Sequence, residues 1–123
     1  MNELFLKYLW KYKLISAPMV LNDGEFFEII NSGTENFNAG PDFLNSIIKI
    51  GNTTWAGNVE IHVKSSDWNL HGHQYDHAYD NVILHLVYID DKIVYNASSR
   101  QIQNYCIFNN IPKNVYKNYL KFT

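Results

Sequence analysis

The stretch VEIHVKSSDWNLHGH, residues 59–73, carries Glu60, His62, Lys64, Asp67, His71 and His73. Glu60, His62 and Lys64 occupy alternate positions, so on a β-strand they share one face while Val59, Ile61 and Val63 share the other. A carboxylate can hold a hard cation, an imidazole can move a proton near neutral pH, and an ammonium can meet developing negative charge. A second acid, Asp42, lies upstream after Pro41. If segments 42–50 and 53–64 pair through the turn at Gly51-Asn52, Asp42 stands about as far before the turn as Glu60 stands after it. Two adjacent carboxylates repel unless a cation sits between them. Mg²⁺ or Mn²⁺ takes one or two carboxylates, keeps several waters and completes its shell with substrate phosphate. Asp42 and Glu60 are therefore the candidate metal ligands, with His62 and Lys64 completing a candidate catalytic set.

Other residues could line such a site. Asp67 and Trp68 follow the strand directly, as an N-cap and a core or lid aromatic, or as a further ligand and a platform for a substrate base. His71, His73 and His77 fall close together, and His73 and His77 would share a face of a helix. A Zn²⁺ ion held by His62, His71 and His73 is the alternative metal reading. His85, between Leu84 and Leu86, is expected as a buried, hydrogen-bonded ring that would meet a carboxylate if it faced the site. Against all of these stands a plainer reading. Any half-exposed strand displays polar residues at alternate positions, and an Asp after Pro is ordinary turn chemistry.

The elements that would position these groups follow from periodicity. Residues 2–15 read as a helix, with Asn2 as N-cap, a stripe of Phe5, Tyr8, Leu9 and Tyr12, and Lys7, Lys11 and Lys13 on the wetter side. Residues 25–30 read as a strand, 31–41 as a turn-rich loop, and 43–50 and 53–64 as a hairpin. Gly57 inside the second hairpin strand signals a bulge or a close backbone approach. The apolar run 82–89 reads as a strand covered on both faces, 93–97 as an edge strand, and 110–122 as a final helix with Asn110 near its cap. Trp10 and Trp55 are expected in the core. The order predicts an α+β or mixed α/β domain over residues 1–123, with one central sheet of four to five strands and flanking helices.

Composition narrows the function classes. The chain has 123 residues, 46 % hydrophobic and 18 % charged, which suits one globular domain. A net charge of -2 gives no global footprint for nucleic acid, so any DNA or RNA contact must be local. The single cysteine, Cys106, cannot close an internal disulfide and has no activating base beside it. No signal-peptide pattern and no membrane-spanning apolar run is seen, so a cytoplasmic location is expected.

The motif GPDF, followed by a strand, a turn and VEIHVK, resembles the PD-(D/E)XK nuclease superfamily. That resemblance implies a restriction-endonuclease-like α-β-β-β-α-β core, with an acid opening the second strand and an acid-x-lysine motif on the third. It implies Asp42 and Glu60 as metal ligands in phosphodiester hydrolysis, although His62 stands in the lysine position and Lys64 falls two residues later. The segments YLWKYKL, NAGPDF, WAGNVEIHVKSSDW, HGH and AYDNVILHLVY are similar to an uncharacterised bacterial family, domain of unknown function 2851. Its members are usually longer, so the chain resembles their N-terminal part. The functional expectation is a divalent-metal-dependent nuclease-like domain. A non-catalytic binding module of the same fold and a histidine-bound zinc domain are the alternatives.

Overall fold

Asn2 opens the first helix by accepting a 2.9 Å hydrogen bond from the Phe5 N–H through its side chain. Helix α1 (Glu3–Lys11) then buries Phe5, Leu6, Leu9 and Trp10 against the sheet. It is shorter than the predicted 2–15, because Lys13 takes a left-handed conformation (φ 55°) that ends the helical run. The computed structural model describes residues 1–121. Among the described residues, no helix is long and apolar enough to cross a membrane.

The strands are β1 (Met19–Val20), β2 (Phe26–Asn31), β3 (Thr34–Glu35), β4 (Phe43–Ile50), β5 (Thr53–Lys64), β6 (Val82–Ile89) and β7 (Asn104–Cys106). They form one mixed sheet in the order β1-β2-β4-β5-β6-β7, with β3 paired to β4. The sheet therefore has seven strands rather than four to five, because the two-residue β1 and β3 and the short β7 carry too little periodicity to be read. The predicted edge strand at 93–97 contributes only an isolated bridge, Tyr95 to Gln101, and β7 takes the edge position instead. The last helix, α3 (Val115–Leu120), starts later than predicted. A 3-10 turn at Phe108–Asn110 precedes it, and the predicted end of that helix, Phe122, lies outside the described residues.

β4 and β5 form the expected hairpin, and a register shift between Phe43 and Ser46 decides which residues meet. Next to the turn, Ile50 pairs with Thr53 and Ser46 with Gly57, whereas beyond the bulge Phe43 pairs with Val59. Asn45 occupies the bulge with φ 57°. Continued one step, the shifted register sets Asp42 opposite Glu60.

β5 runs parallel to β6, so the chain must cross from one end of the sheet to the other between them. That crossover holds the short helix α2 (Asp67–Leu70) and two 3-10 turns, His73–Tyr75 and His77–Tyr79. It is not one continuous helix, so His73 and His77 do not share a helical face. The α1 side of the sheet is packed with Phe43, Ile48, Val59, Ile61, Leu84 and Leu86. A second cluster forms around Trp68, Tyr79, Val82, Val94 and Ile102. The four residues Val59–His62 are all buried, so the half-exposed-strand reading of Glu60 and His62 does not hold.

Gly57 makes the expected close approach. A Cβ there would lie 2.4 Å from Ile83 Cγ2 and 2.7 Å from the Asn81 carbonyl oxygen. The Asn81 oxygen is pinned by the Asn58 N–H at 2.8 Å and cannot retreat cheaply. Gly57→Ala is therefore expected to destabilise the fold by about 1–3 kcal/mol. Urea unfolding with an unchanged slope and a lower midpoint is the expected readout. An unchanged midpoint would mean that the two strands separate freely at this point.

Candidate metal centre

The loop before β4 is laced to itself so that it delivers Asp42 in one place. The Asn36 side-chain amide donates to the carbonyls of Ala39 and Pro41, both at 3.0 Å, and the Asn36 N–H donates to the Asp42 carbonyl at 2.8 Å. Asp42 and Glu60 then exchange bonds with each other's strand. The Asp42 N–H donates to Glu60 Oε1 at 3.1 Å, and the Ile61 N–H donates to Asp42 Oδ2 at 2.8 Å. The other Asp42 oxygen, Oδ1, lies 3.2 Å from Lys7 Nζ on α1. The two acids singled out in the sequence are thus neighbours, and a lysine meets them from the helix.

The second Glu60 oxygen faces the histidines. Glu60 Oε2 lies 2.7 Å from His73 Nε2 and 3.5 Å from His62 Nε2. His62 Nε2 is also 3.2 Å from His71 Nδ1. One ring nitrogen from each of His62, His71 and His73 lies within 4.8 Å of the other two. Ligand atoms on a tetrahedral zinc at 2.0–2.1 Å stand roughly 3.3 Å apart. Two of the contacts around His62 Nε2 already have about that spacing. This cluster could hold a metal ion. His62 and His73 are buried, while His71 stands at the exposed mouth.

His73 carries a telling defect. Its Nε2 is buried, and although Glu60 Oε2 is close, it lies off the line that an N–H···O bond requires. With no aligned N–H···O bond at this distance, either a protonated Glu60 donates to a bare Nε2 or a metal ion bridges the two groups. The ring itself is well seated, stacked 3.8 Å centroid to centroid on Tyr79 and edge-on to Trp68.

Electrostatics point the same way. Burial, followed by the neighbouring Asp42 carboxylate, pushes the Glu60 carboxyl up to about 10. Burial, followed by the charges of His85, His73 and His71, pulls His62 down to about 2. His73 falls to about 4, again through burial first and then His71. A dry pocket therefore holds an acid that resists losing its proton beside imidazoles that resist gaining one. A divalent cation reverses both preferences at once.

The remaining candidates separate clearly. His85 is fully buried and bonded to His62 and Asn104, as expected of a satisfied ring, but its partner is not a carboxylate. Trp68 backs the histidines with its indole N–H donated to the Tyr95 carbonyl at 3.0 Å. Being fully buried, it is not available to stack on a substrate base. Asp67 accepts the Lys64 N–H at 3.2 Å, and the Lys64 side chain is exposed beyond the cluster. His77 is exposed and pairs with Asp80 at 2.7 Å, outside the cluster. Trp55, expected in the core, is 49 % exposed.

Sequence reading missed Lys7 and Glu3. Burial, followed by the Asp42 charge, raises the Glu3 carboxyl, which places it beside the same group. Their i, i+4 spacing on α1 was the available signal, since such a pair presents an acid and a base on one helical stripe. Asn104 gave no signal at all.

No curated protein matches the chain, and no solved structure matches it. A family model described as a protein of unknown function (DUF2851) matches residues 3–123, nearly the whole chain, and the protein belongs to that family.

Proposed function

We propose that this domain is a divalent-metal-dependent hydrolase centre acting on phosphodiesters, with nucleic acid as the substrate class. The observation that supports it most directly is the buried convergence of Glu60 Oε2 with His62 Nε2 and His73 Nε2 at 3.5 and 2.7 Å. A donor set rich in imidazole favours an ion of the zinc class over Mg²⁺, with Mn²⁺ intermediate in character. Such an ion would lower the pKa of an attacking water and polarise a phosphoryl oxygen. The chain's own groups divide the rest of the work. Glu60, once its proton is displaced, accepts the proton of the attacking water. Asp42 holds Glu60 in register through the paired backbone bonds and fixes Lys7 at 3.2 Å. Lys7 then neutralises charge developing on the phosphate. The acid opening β4, the acid on β5 and the nearby ammonium favour a phosphodiester over other hydrolysable groups. Here the ammonium comes from α1 rather than from the position that His62 occupies.

Elemental analysis of untagged protein, followed by incubation with labelled DNA or RNA and added Zn²⁺, Mn²⁺ or Mg²⁺, tests the reading. A stoichiometric ion that is lost in His73→Ala is expected, together with cleavage that Glu60→Gln abolishes and Lys7→Met slows. Equal cleavage by the wild type and by Asp42→Ala/Glu60→Ala would overturn the assignment. Ion binding without cleavage of either nucleic acid would leave a non-catalytic metal-bound module.

A further inference from the structure

We propose that Asn104 is a positioning residue which sets the tautomer of His62 through His85, so that the bare Nε2 of His62 is presented to a metal ion. The inference rests on the metal reading of the previous section and extends it to a strand edge that carries no ligand. Glu60, His85 and Asn104 are register partners on β5, β6 and β7, so their side chains form one row across three parallel strands. His62 is next on β5, on the same face.

The chain of donors has one consistent assignment. The Asn104 side-chain N–H₂ donates to Asp90 Oδ1 at 3.0 Å and to the Lys92 carbonyl at 2.9 Å. Both partners are acceptors, so the amide orientation is fixed and Asn104 Oδ1 must face His85. That oxygen lies 2.9 Å from His85 Nδ1, and an oxygen of this kind only accepts. His85 Nδ1 therefore carries the hydrogen. The His85 ring is fully buried and touches an imidazole and an amide oxygen but no carboxylate, so it is a neutral ring whose bare Nε2 accepts from His62 Nδ1 at 2.8 Å. The single His62 hydrogen is thus on Nδ1, and its Nε2 is the lone pair facing Glu60 Oε2 and His71 Nδ1. A metal-ligating histidine commonly donates its other N–H to a fixed acceptor, which orients the ring and selects the coordinating nitrogen. Here the acceptor is a second imidazole, and its own polarity is dictated one strand further out.

The test reads tautomers directly, without needing metal. Long-range ¹H–¹⁵N correlation spectra of the metal-free wild type are expected to show Nδ1–H with bare Nε2 for both His62 and His85. Asn104→Leu removes the acceptor and is expected to change the tautomer of His85 and, with it, that of His62. It is also expected to weaken Zn²⁺ binding by about 10–100-fold in calorimetric titration. An Nε2–H signal for His62 in the wild type would overturn the relay, even if the variant failed to fold. Unchanged tautomers in Asn104→Leu would overturn it too. If the tautomers follow Asn104 while the wild type binds no Zn²⁺, the hydrogen-bond relay stands but the proposed purpose falls with the metal reading.

Discussion

Acidifying the metal-free protein from about pH 7 to about pH 4.5 is expected to destabilise it, because three buried rings lose more than the Glu60 carboxyl regains. His62, His73 and His85 titrate near 6.5 when unperturbed but fall to about 2, about 4 and about 4 in the fold, chiefly through burial. Below 6.5 the unfolded chain takes up protons that the folded chain refuses. Their contribution is therefore complete above that value and is lost as the pH falls toward the folded values. Each ring withdraws roughly 1.4 kcal/mol per pH unit, or about 2.5 kcal/mol at pH 4.5. The raised Glu60 carboxyl works the other way and offsets part of this loss, so the net change is a sizeable fraction of the usual stability of about 5–15 kcal/mol. Circular dichroism and tryptophan fluorescence against pH, in the presence of a chelator, give the midpoint. Zn²⁺ binds only the folded form in this account, so adding it should move the midpoint to lower pH. A metal-free protein no less stable at pH 4.5 than at pH 7 would show that these rings accept protons where they stand.

Glu60→Gln is expected to stabilise the metal-free protein while weakening its hold on an ion. The carboxyl of Glu60 is raised by burial and by Asp42, so the fold favours its protonated form. The sign is opposite to the histidine case. Stability from this group is fully present below the ordinary carboxylate range and is lost as the pH climbs toward the raised value. Gln keeps an oxygen for the Asp42 N–H and carries no charge at any pH. The variant should therefore match the wild type near about pH 4–5 and exceed it by a growing margin as the pH rises to about 9. Denaturant unfolding in a chelator, at the two pH values, reads the difference. The same variant should bind Zn²⁺ more weakly, since a neutral amide cannot balance the cation. A Gln variant less stable than the wild type at pH 9 would mean that Glu60 is charged where it stands.

Much of the framework was legible in the sequence, and the reasons differ by element. β4, β5 and β6 are long and bounded by glycine or polar turns, and their ranges match the expected 43–50, 53–64 and 82–89. β1, β3 and β7 have two or three residues each, which is too short for any alternation to show. The pairing of Asp42 with Glu60 was anticipated from their distances to the turn. Its geometry, however, depends on the bulge at Asn45, and nothing in FLNSIIKI announces an extra residue. The trio His62, His71 and His73 could be named from spacing, whereas the burial of His62 could not, because the cover over that face comes from Trp68 and Tyr79 in a segment of low periodicity. Lys7 looked like a solvated helix residue because three lysines fall within the predicted helix 2–15, and only the packing of α1 on the sheet sets its Nζ against Asp42.

Two of the three clustered histidines, His71 and His73, belong to the connection that returns the chain between parallel neighbours β5 and β6. For the sheet, the main requirement on that connection is reach. Its donor atoms are thus separable from the scaffold: cysteine or aspartate could replace His71 at the rim and shift ion preference toward softer or harder cations, with every strand pairing left as it is. A designer could treat the centre as an interchangeable socket mounted on a fixed frame.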